Sequence, residues 1–428
     1  MKGKIQLFVL VFSLAWSFLL SSQSSSPLLL IPDRVFDGQV MQESWVVLIE
    51  KDKISAAGPI ASIKAPANTR RLELPGTTLL PGLIEGHSHL LLHPYNETSW
   101  NDQVLVESEA ERVVRATVHA RKTLEAGFTT VRDLGSEGAG YADVGLKQAI
   151  EKGIIPGPRM LVAGPAIVAT GSYGPKGFAP HVDVPLGAEE ADGHDNLIKV
   201  VREQMGKGAD VVKVYADYRW GLRGEARATF SLEELQLMVK TAASSGRSVV
   251  AHAGTEEGMR RAALAGVVSI EHGDAGTPEV FKLMAEKGVS LCPTLAAGDA
   301  ILQYRGWRKG IDPEPERIVQ KRKSFKQALD EGVTILAGGD VGVFTHGDNA
   351  RELEMMVDYG MKPLEVLKSA TSTNAKVFGL SAELGAIRPG LLADLLIVDG
   401  RPDQNISDLR KIRLVMKGGI IVVENKNK

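Results

Sequence analysis

The stretch Pro81-Gly82-Leu83-Ile84-Glu85-Gly86-His87-Ser88-His89 decides how the rest of the chain is read. A Pro-Gly turn releases an apolar run that has the texture of a strand, and the run ends in two histidines spaced i, i+2. Successive side chains on a strand alternate faces, so His87 and His89 point the same way and Ser88 points away. Two imidazoles on one face at a strand end suit a metal ion; the competing reading is a solvated His pair on a turn. Which reading holds depends on whether the chain supplies further ligands.

Downstream, strand and helix patterns alternate. Strands are expected at 129–132, 160–163, 211–215, 248–251, 268–271, 290–291 and 334–337. Helices are expected at 107–126, 144–152, 196–207, 256–265, 278–287, 314–331 and 349–359, with another opened by the capping box Ser231-Leu232-Glu233-Glu234. Thr277 and Pro278 mark one helix start as N-cap and first-turn proline. With the strand that ends at His89 this makes eight strand–helix units, the signature of a parallel (β/α)8 barrel, whose chemistry sits at the C-terminal strand ends. Before it, 28–80 reads as short strands broken by Pro, Gly and Asp. After it, 393–398, 413–415 and 420–423 return to that texture around Gly418-Gly419. The expectation is therefore an α/β chain, a TIM barrel at 81–375, with a small β-sandwich domain formed by both ends, 27–80 and 376–428.

The 428 residues carry 52 acids and 50 bases, a formal charge of -2. Such a balance offers nothing to nucleic acid and no acidic tail. Lys2 and Lys4 precede an apolar run from Ile5 to Leu20 and a serine-rich exit. This is a signal-peptide pattern over 1–26, too short to span a bilayer comfortably. A secreted or periplasmic protein without a stable membrane anchor is expected. Cys292 is the single cysteine, so no internal disulfide can form. The bulk numbers leave room for a homo-oligomer.

The expected strand ends carry the chemistry. His87 and His89 end strand 1, Lys213 lies on strand 4, His252 ends strand 5, His272 strand 6, and Asp340 follows strand 8. Each sits in an apolar or small-residue frame, as in Val211-Val212-Lys213-Val214-Tyr215 and Leu336-Ala337-Gly338-Gly339-Asp340. A barrel would bring all six to one mouth.

This constellation resembles the amidohydrolase superfamily in its binuclear-metal form. Within it, the chain is most similar to the imidazolonepropionase-like, prolidase-like branch, which holds dipeptidases, acyl-amino-acid amidases and ochratoxin-type amidases. Ile270-Glu271-His272-Gly273, Ala370-Thr371-Ser372-Thr373-Asn374-Ala375 and Pro389-Gly390-Leu391-Leu392-Ala393-Asp394-Leu395 also carry the likeness. The resemblance implies two divalent metal ions, zinc by preference. His87, His89 and Asp340 would hold one, and His252 and His272 the other. Lys213, N6-carboxylated by carbon dioxide, would bridge them. Charge supports the modification, because a protonated lysine beside two dications would be repelled. It further implies that a metal-bridged hydroxide attacks a linear amide, with Asp340 as general base and then acid.

The substrate would be a small amide, a dipeptide or an N-acyl amino acid. Substrate contacts are expected from the loops after strands 3, 4 and 8. Tyr173 stands where relatives often have a carbonyl-contacting histidine. Tyr215 shares a strand face with Lys213, Arg219 or Arg223 offers a fork for a carboxylate, and His346 lies within reach of the pocket. Two alternatives remain: a mononuclear imidazolonepropionase- or deaminase-like hydrolase of a heterocycle, against which Lys213 argues, and a non-catalytic scaffold, which would typically have lost ligands.

Overall fold

Strand Arg70–Pro81 ties the two ends of the chain together. In the computed structural model, which describes residues 26–425, it pairs parallel with Leu28–Phe36 and antiparallel with Leu395–Asp399. The hydrogen-bonded path runs Ile420–Glu424, Ile412–Lys417, Leu395–Asp399, Arg70–Pro81, Leu28–Phe36, Trp45–Glu50, Lys53–Pro59, with Met41–Glu43 beside Leu28–Phe36. The two halves form one continuous eight-stranded sheet, because Arg70–Pro81 carries a ladder on both edges and joins them. The sheet doubles over: Lys51-Asp52 at one end meets Gly418-Gly419 at the other, where a Cβ on Gly419 would overlap the Lys51 carbonyl. Leu30, Val47, Leu79, Leu395 and Leu414 belong to one buried cluster on this sheet. The expected leader, up to residue 25, lies outside the described residues. Among the described residues no helix is long and apolar enough to cross a membrane.

Gly82 carries the chain from this sheet past Thr129, which any side chain there would overlap. Strand Leu83–Ser88 then pairs in parallel with Phe128–Asp133, and that strand with Arg159–Val162. A second parallel run is ordered Glu189–Glu190, Ile167–Val168, Val211–Tyr215, Ser248–Ala253, Ser269–His272, Ser290–Cys292. The first run is joined to the second on both of its edges. Asp210 N–H donates to the Val162 carbonyl at 2.7 Å, and parallel bridges Leu291–Ile335 and Ser88–Val341 lead back to the first strand. Helices Glu109–Glu125, Ala142–Glu151, His194–Gly206, Leu232–Ala243, Glu256–Ala265, Pro278–Lys287, Glu316–Asp330 and Ala350–Asp358 punctuate the series, making the class α/β. Their starts use the expected chemistry. Ser231 and Glu234 form the capping box, and Thr277 accepts from the Val280 N–H.

The segment expected as a strand at 334–337 forms only isolated bridges. It serves Leu291 on one side, through Leu291 N–H to Thr334 O at 2.9 Å. It then serves the first strand on the other, through Gly86 N–H to Ala337 O at 2.8 Å and His89 N–H to Val341 O at 2.7 Å. Gly338 permits that close passage, since a Cβ there would lie 2.5 Å from Cys292 Sγ and 2.7 Å from His87 N. Asn374, just after the π-helical turn Ser369–Thr373, donates to Ile84 O at 2.9 Å and Ala337 O at 2.8 Å, stitching the same seam. The two-residue strand Ile167–Val168 and helix Leu295–Tyr304 had no counterpart in the sequence reading.

Candidate metal centre

A cleft of about 830 Å³ opens over the C-terminal ends of these parallel strands. His87, His89, His252, His272 and Asp340 all line it. Ligand-type atoms of His87, His272 and Asp340 lie within 4.8 Å of one another. The ring centres of His87 and His89 are 5.3 Å apart, those of His87 and His272 5.2 Å, and those of His252 and His272 4.5 Å. Backbone strain concentrates here: His272, Thr294 and Asp340 are non-glycine residues with φ of +77°, +49° and +62°. Such conformations persist only where the surrounding structure imposes them.

Three of the four imidazoles are aimed by a bond on their other nitrogen. His87 Nδ1–H donates to Glu271 Oε2 at 2.8 Å; Arg132 Nη2 holds the second Glu271 oxygen at 2.9 Å. His89 Nδ1–H donates to Gly135 O at 2.9 Å, and His272 Nδ1 pairs with Thr294 Oγ1 at 2.7 Å. These bonds leave three Nε2 atoms for the cleft, and those of His87 and His89 approach Asp340 Oδ1 at 3.7 and 3.3 Å. His252 is reversed, its Nε2 lying 3.6 Å from Asp217 Oδ1. Ring nitrogens fixed in this way are what metal-binding histidines require.

The electrostatics suit cation binding. Burial, helped by Lys213, lowers His87 to about 4 and His252 to about 3. Burial and then His252 push His272 well below its usual value. These three are neutral lone-pair donors at neutral pH. Burial opposes ionisation of Asp340, yet His87, His89 and Lys213 together hold it at about 2. Burial likewise works against a charged His89, but Asp340 outweighs it and raises the ring to about 9, a proton that a metal on the same nitrogen would displace. Lys213 is 1% exposed, beneath the cleft floor, and burial lowers its pKa against the pull of Glu271 and Asp340. Oriented imidazoles, one ionised carboxylate and a buried lysine biased toward its neutral amine fit divalent cations.

Of the substrate-side residues, Tyr173, Tyr215 and Arg219 line the cleft. Tyr215 stacks on His252 with ring centres 4.5 Å apart. The Tyr173 hydroxyl donates to Glu137 Oε2 at 2.8 Å, so it is engaged with a carboxylate instead of open to a substrate carbonyl. Two expectations fail on placement. His346 stacks on His119 at 4.2 Å and its Nε2 bonds Leu92 O at 2.9 Å, which turns it away from the cleft. Arg223 sits in the tip of the hairpin Asp217–Arg219 and Ala226–Ala228, its N–H tied to Glu225 Oε2 at 2.8 Å, outside the lining. Glu137 was missed. It is 4% exposed and lies in the loop after Phe128–Asp133, where a lone acid among glycines gives no periodic signal.

Comparison with known proteins places this geometry. A model of the amidohydrolase family matches residues 78–422. The chain is 30% identical to an ochratoxinase of Aspergillus niger over 426 residues, covering 91% of this chain and 84% of that protein. A solved Xaa-Pro dipeptidase with methionine bound in its active site superposes with a TM-score of 0.82 and 31% identity. That superposition covers 94% of this chain and 100% of the other. An imidazolonepropionase of Geobacillus thermodenitrificans is 23% identical over 450 residues, covering 94% of this chain and 95% of that one.

Proposed function

The chain belongs to the amidohydrolase family, and from that premise we propose that it hydrolyses a linear amide bond, in a dipeptide or an N-acyl amino acid. The carrying observation is the convergence of His87, His89, His252, His272 and Asp340 on one cleft above buried Lys213. We read the parallel strands as a (β/α)8 barrel, a reading supported by the bonds that lead from 334–341 back to the first strand. His87, His89 and Asp340 would hold one divalent ion and His252 with His272 a second. The imidazole-rich donor set favours zinc. Bound there, the ions would polarise the scissile carbonyl and bring the pKa of a water toward about 7.

The chain's own residues do the rest. Lys213, its pKa lowered by burial, would take up carbon dioxide with loss of a proton, and the resulting carbamate would offer two oxygen ligands to the ions. Asp340, ionised and at the mouth, takes the proton of the attacking water and delivers it to the amine nitrogen as the carbon–nitrogen bond breaks. The relatives described as ochratoxinase and Xaa-Pro dipeptidase support a linear amide. The heterocycle alternative, suggested by the imidazolonepropionase likeness, needs one metal and no lysine.

Zinc-loaded protein screened against dipeptides and N-acyl amino acids tests the reading. Two zinc ions per chain are expected, and Lys213→Ala is expected to lower kcat/KM at least about 1000-fold. A single tightly bound zinc with no carbamate, or a fully active Lys213→Ala, would overturn it. Export of the protein, proposed from the leader pattern, is tested by N-terminal sequencing of the protein recovered outside the cytoplasm.

A further inference from the structure

At the rim of the cleft Glu137 is held in an unusual setting. Its Oε2 accepts from Trp100 Nε1 at 2.9 Å and from the Tyr173 hydroxyl at 2.8 Å, and its Oε1 has only a long bond, 3.5 Å, from the Tyr215 hydroxyl. All three donors are neutral. The neighbouring cation, Arg112, is turned to backbone instead, donating to Leu91 O, Ser136 O and Glu137 O at 2.8 to 3.1 Å. His89, close by, spends its Nδ1–H on Gly135 O and turns its Nε2 to Asp340, so no cation bonds this buried carboxylate directly, an expensive arrangement. Around it the rings of Tyr173, Tyr215 and Tyr218 pack with centres 4.7 to 5.7 Å apart, and Trp100 meets Tyr173 edge-on at 5.4 Å. All five residues line the cleft. Aromatic walls with one carboxylate are the chemistry that recognises an organic ammonium.

We propose that Glu137 with Trp100, Tyr173, Tyr215 and Tyr218 forms a subsite for the protonated α-amino group of the substrate. The proposal rests on the amide-hydrolysis reading for its placement and narrows it to unblocked dipeptides or aminoacyl amides, excluding N-acylated ones. Position selects the α-amine. A Cβ grown from Gly135 would touch both Glu137 Oε1, at 3.2 Å, and the His89 ring, at 3.4 Å. The carboxylate therefore lies close beside the metal-binding rim, and an α-amino nitrogen sits only about 2.5 Å from its carbonyl carbon. An amine further along a side chain would have to fold back to reach it.

Three probes separate the amine from everything else: L-methionine, N-acetyl-L-methionine and the amine-free 4-(methylthio)butanoate. Calorimetric titration of zinc-loaded full-length protein is expected to show methionine binding about 10- to 100-fold tighter than either counterpart. Glu137→Gln keeps the shape and removes the charge, and is expected to bring that ratio within about 3-fold of one. Tyr173→Phe removes one donor but leaves the carboxylate, and is expected to keep most of the ratio, with melting curves reporting that both variants fold. Equal binding of the three probes by the wild type, or a Glu137→Gln ratio as large as the wild type's, would overturn the subsite. Hydrolysis of Met-Pro is followed separately. A protein that keeps the binding ratio yet never cleaves Met-Pro or any other amide would refute the catalytic reading and leave the ammonium subsite standing.

Discussion

Glu271 is buried, touches no cleft surface, and yet governs the centre. It anchors His87 through one oxygen and Arg132 through the other, and also accepts from Ser269 Oγ at 2.5 Å. Burial alone would raise its pKa, but Arg132 and then His87 overcome this and hold it well below the carboxylate range. Glu271→Gln is therefore expected to weaken zinc affinity about 10- to 100-fold, read by competition with a chelating dye. The same variant leaves the Arg132 guanidinium without its counter-charge and is expected to cost about 3–5 kcal/mol in urea unfolding. The histidines and the aspartate that line the cleft were legible because these residue types are conspicuous at the ends of apolar runs. Glu137 was not, because its meaning comes from Trp100, Tyr173 and Tyr215 on three other segments. Placing His346 at the pocket erred for a related reason: sequence position fixed its loop but not the stacking on His119 that turns its ring.

Single elements show the same division between local and distant causes. Helix Glu256–Ala265 begins at Thr255, whose hydroxyl caps the Gly258 N–H at 3.1 Å, and its bounds match the sequence reading because every signal lies within the segment. Within it, Glu257 is gripped by Arg260 at 2.7 Å and Arg261 at 2.7 Å. The Arg260 bond leads in lowering its pKa to about 2, against the opposing effect of burial and with help from Arg261. A carboxylate depressed on folding adds stability above its unfolded value of about 4.5 and loses it as pH falls toward 2. Glu257→Gln is expected to flatten this part of the acid limb, modestly because the side chain is 44% exposed, when stability is followed by denaturant titration from pH 6 to 2. Residues 334–341 were harder to read, since they divide their bonds between two neighbours and pass through Gly338-Gly339. Periodicity detects a ladder, not a seam.

At the scale of the whole molecule, the alternation of strand and helix revealed the α/β middle and the pairing of the two ends. It could not reveal that those ends make one sheet, because texture says nothing about which edge meets which. The buried Asp394 carboxylate, paired with Arg159 at 2.7 Å and taking the Gly418 N–H at 2.7 Å, locks that sheet against the parallel strands. Removing everything from Leu395 onward would strip Arg70–Pro81 of its antiparallel neighbour and bare the strand edge from Thr77 to Pro81. The truncated chain is expected to aggregate, read by light scattering after refolding beside the full chain. Time enters here as well. Thr78 Oγ1 bonds Gly400 O across 322 residues, and a ribosome adds about 5–20 residues per second. The first strands made must therefore wait tens of seconds for their partners, and that edge stays unpaired until the chain's own tail arrives.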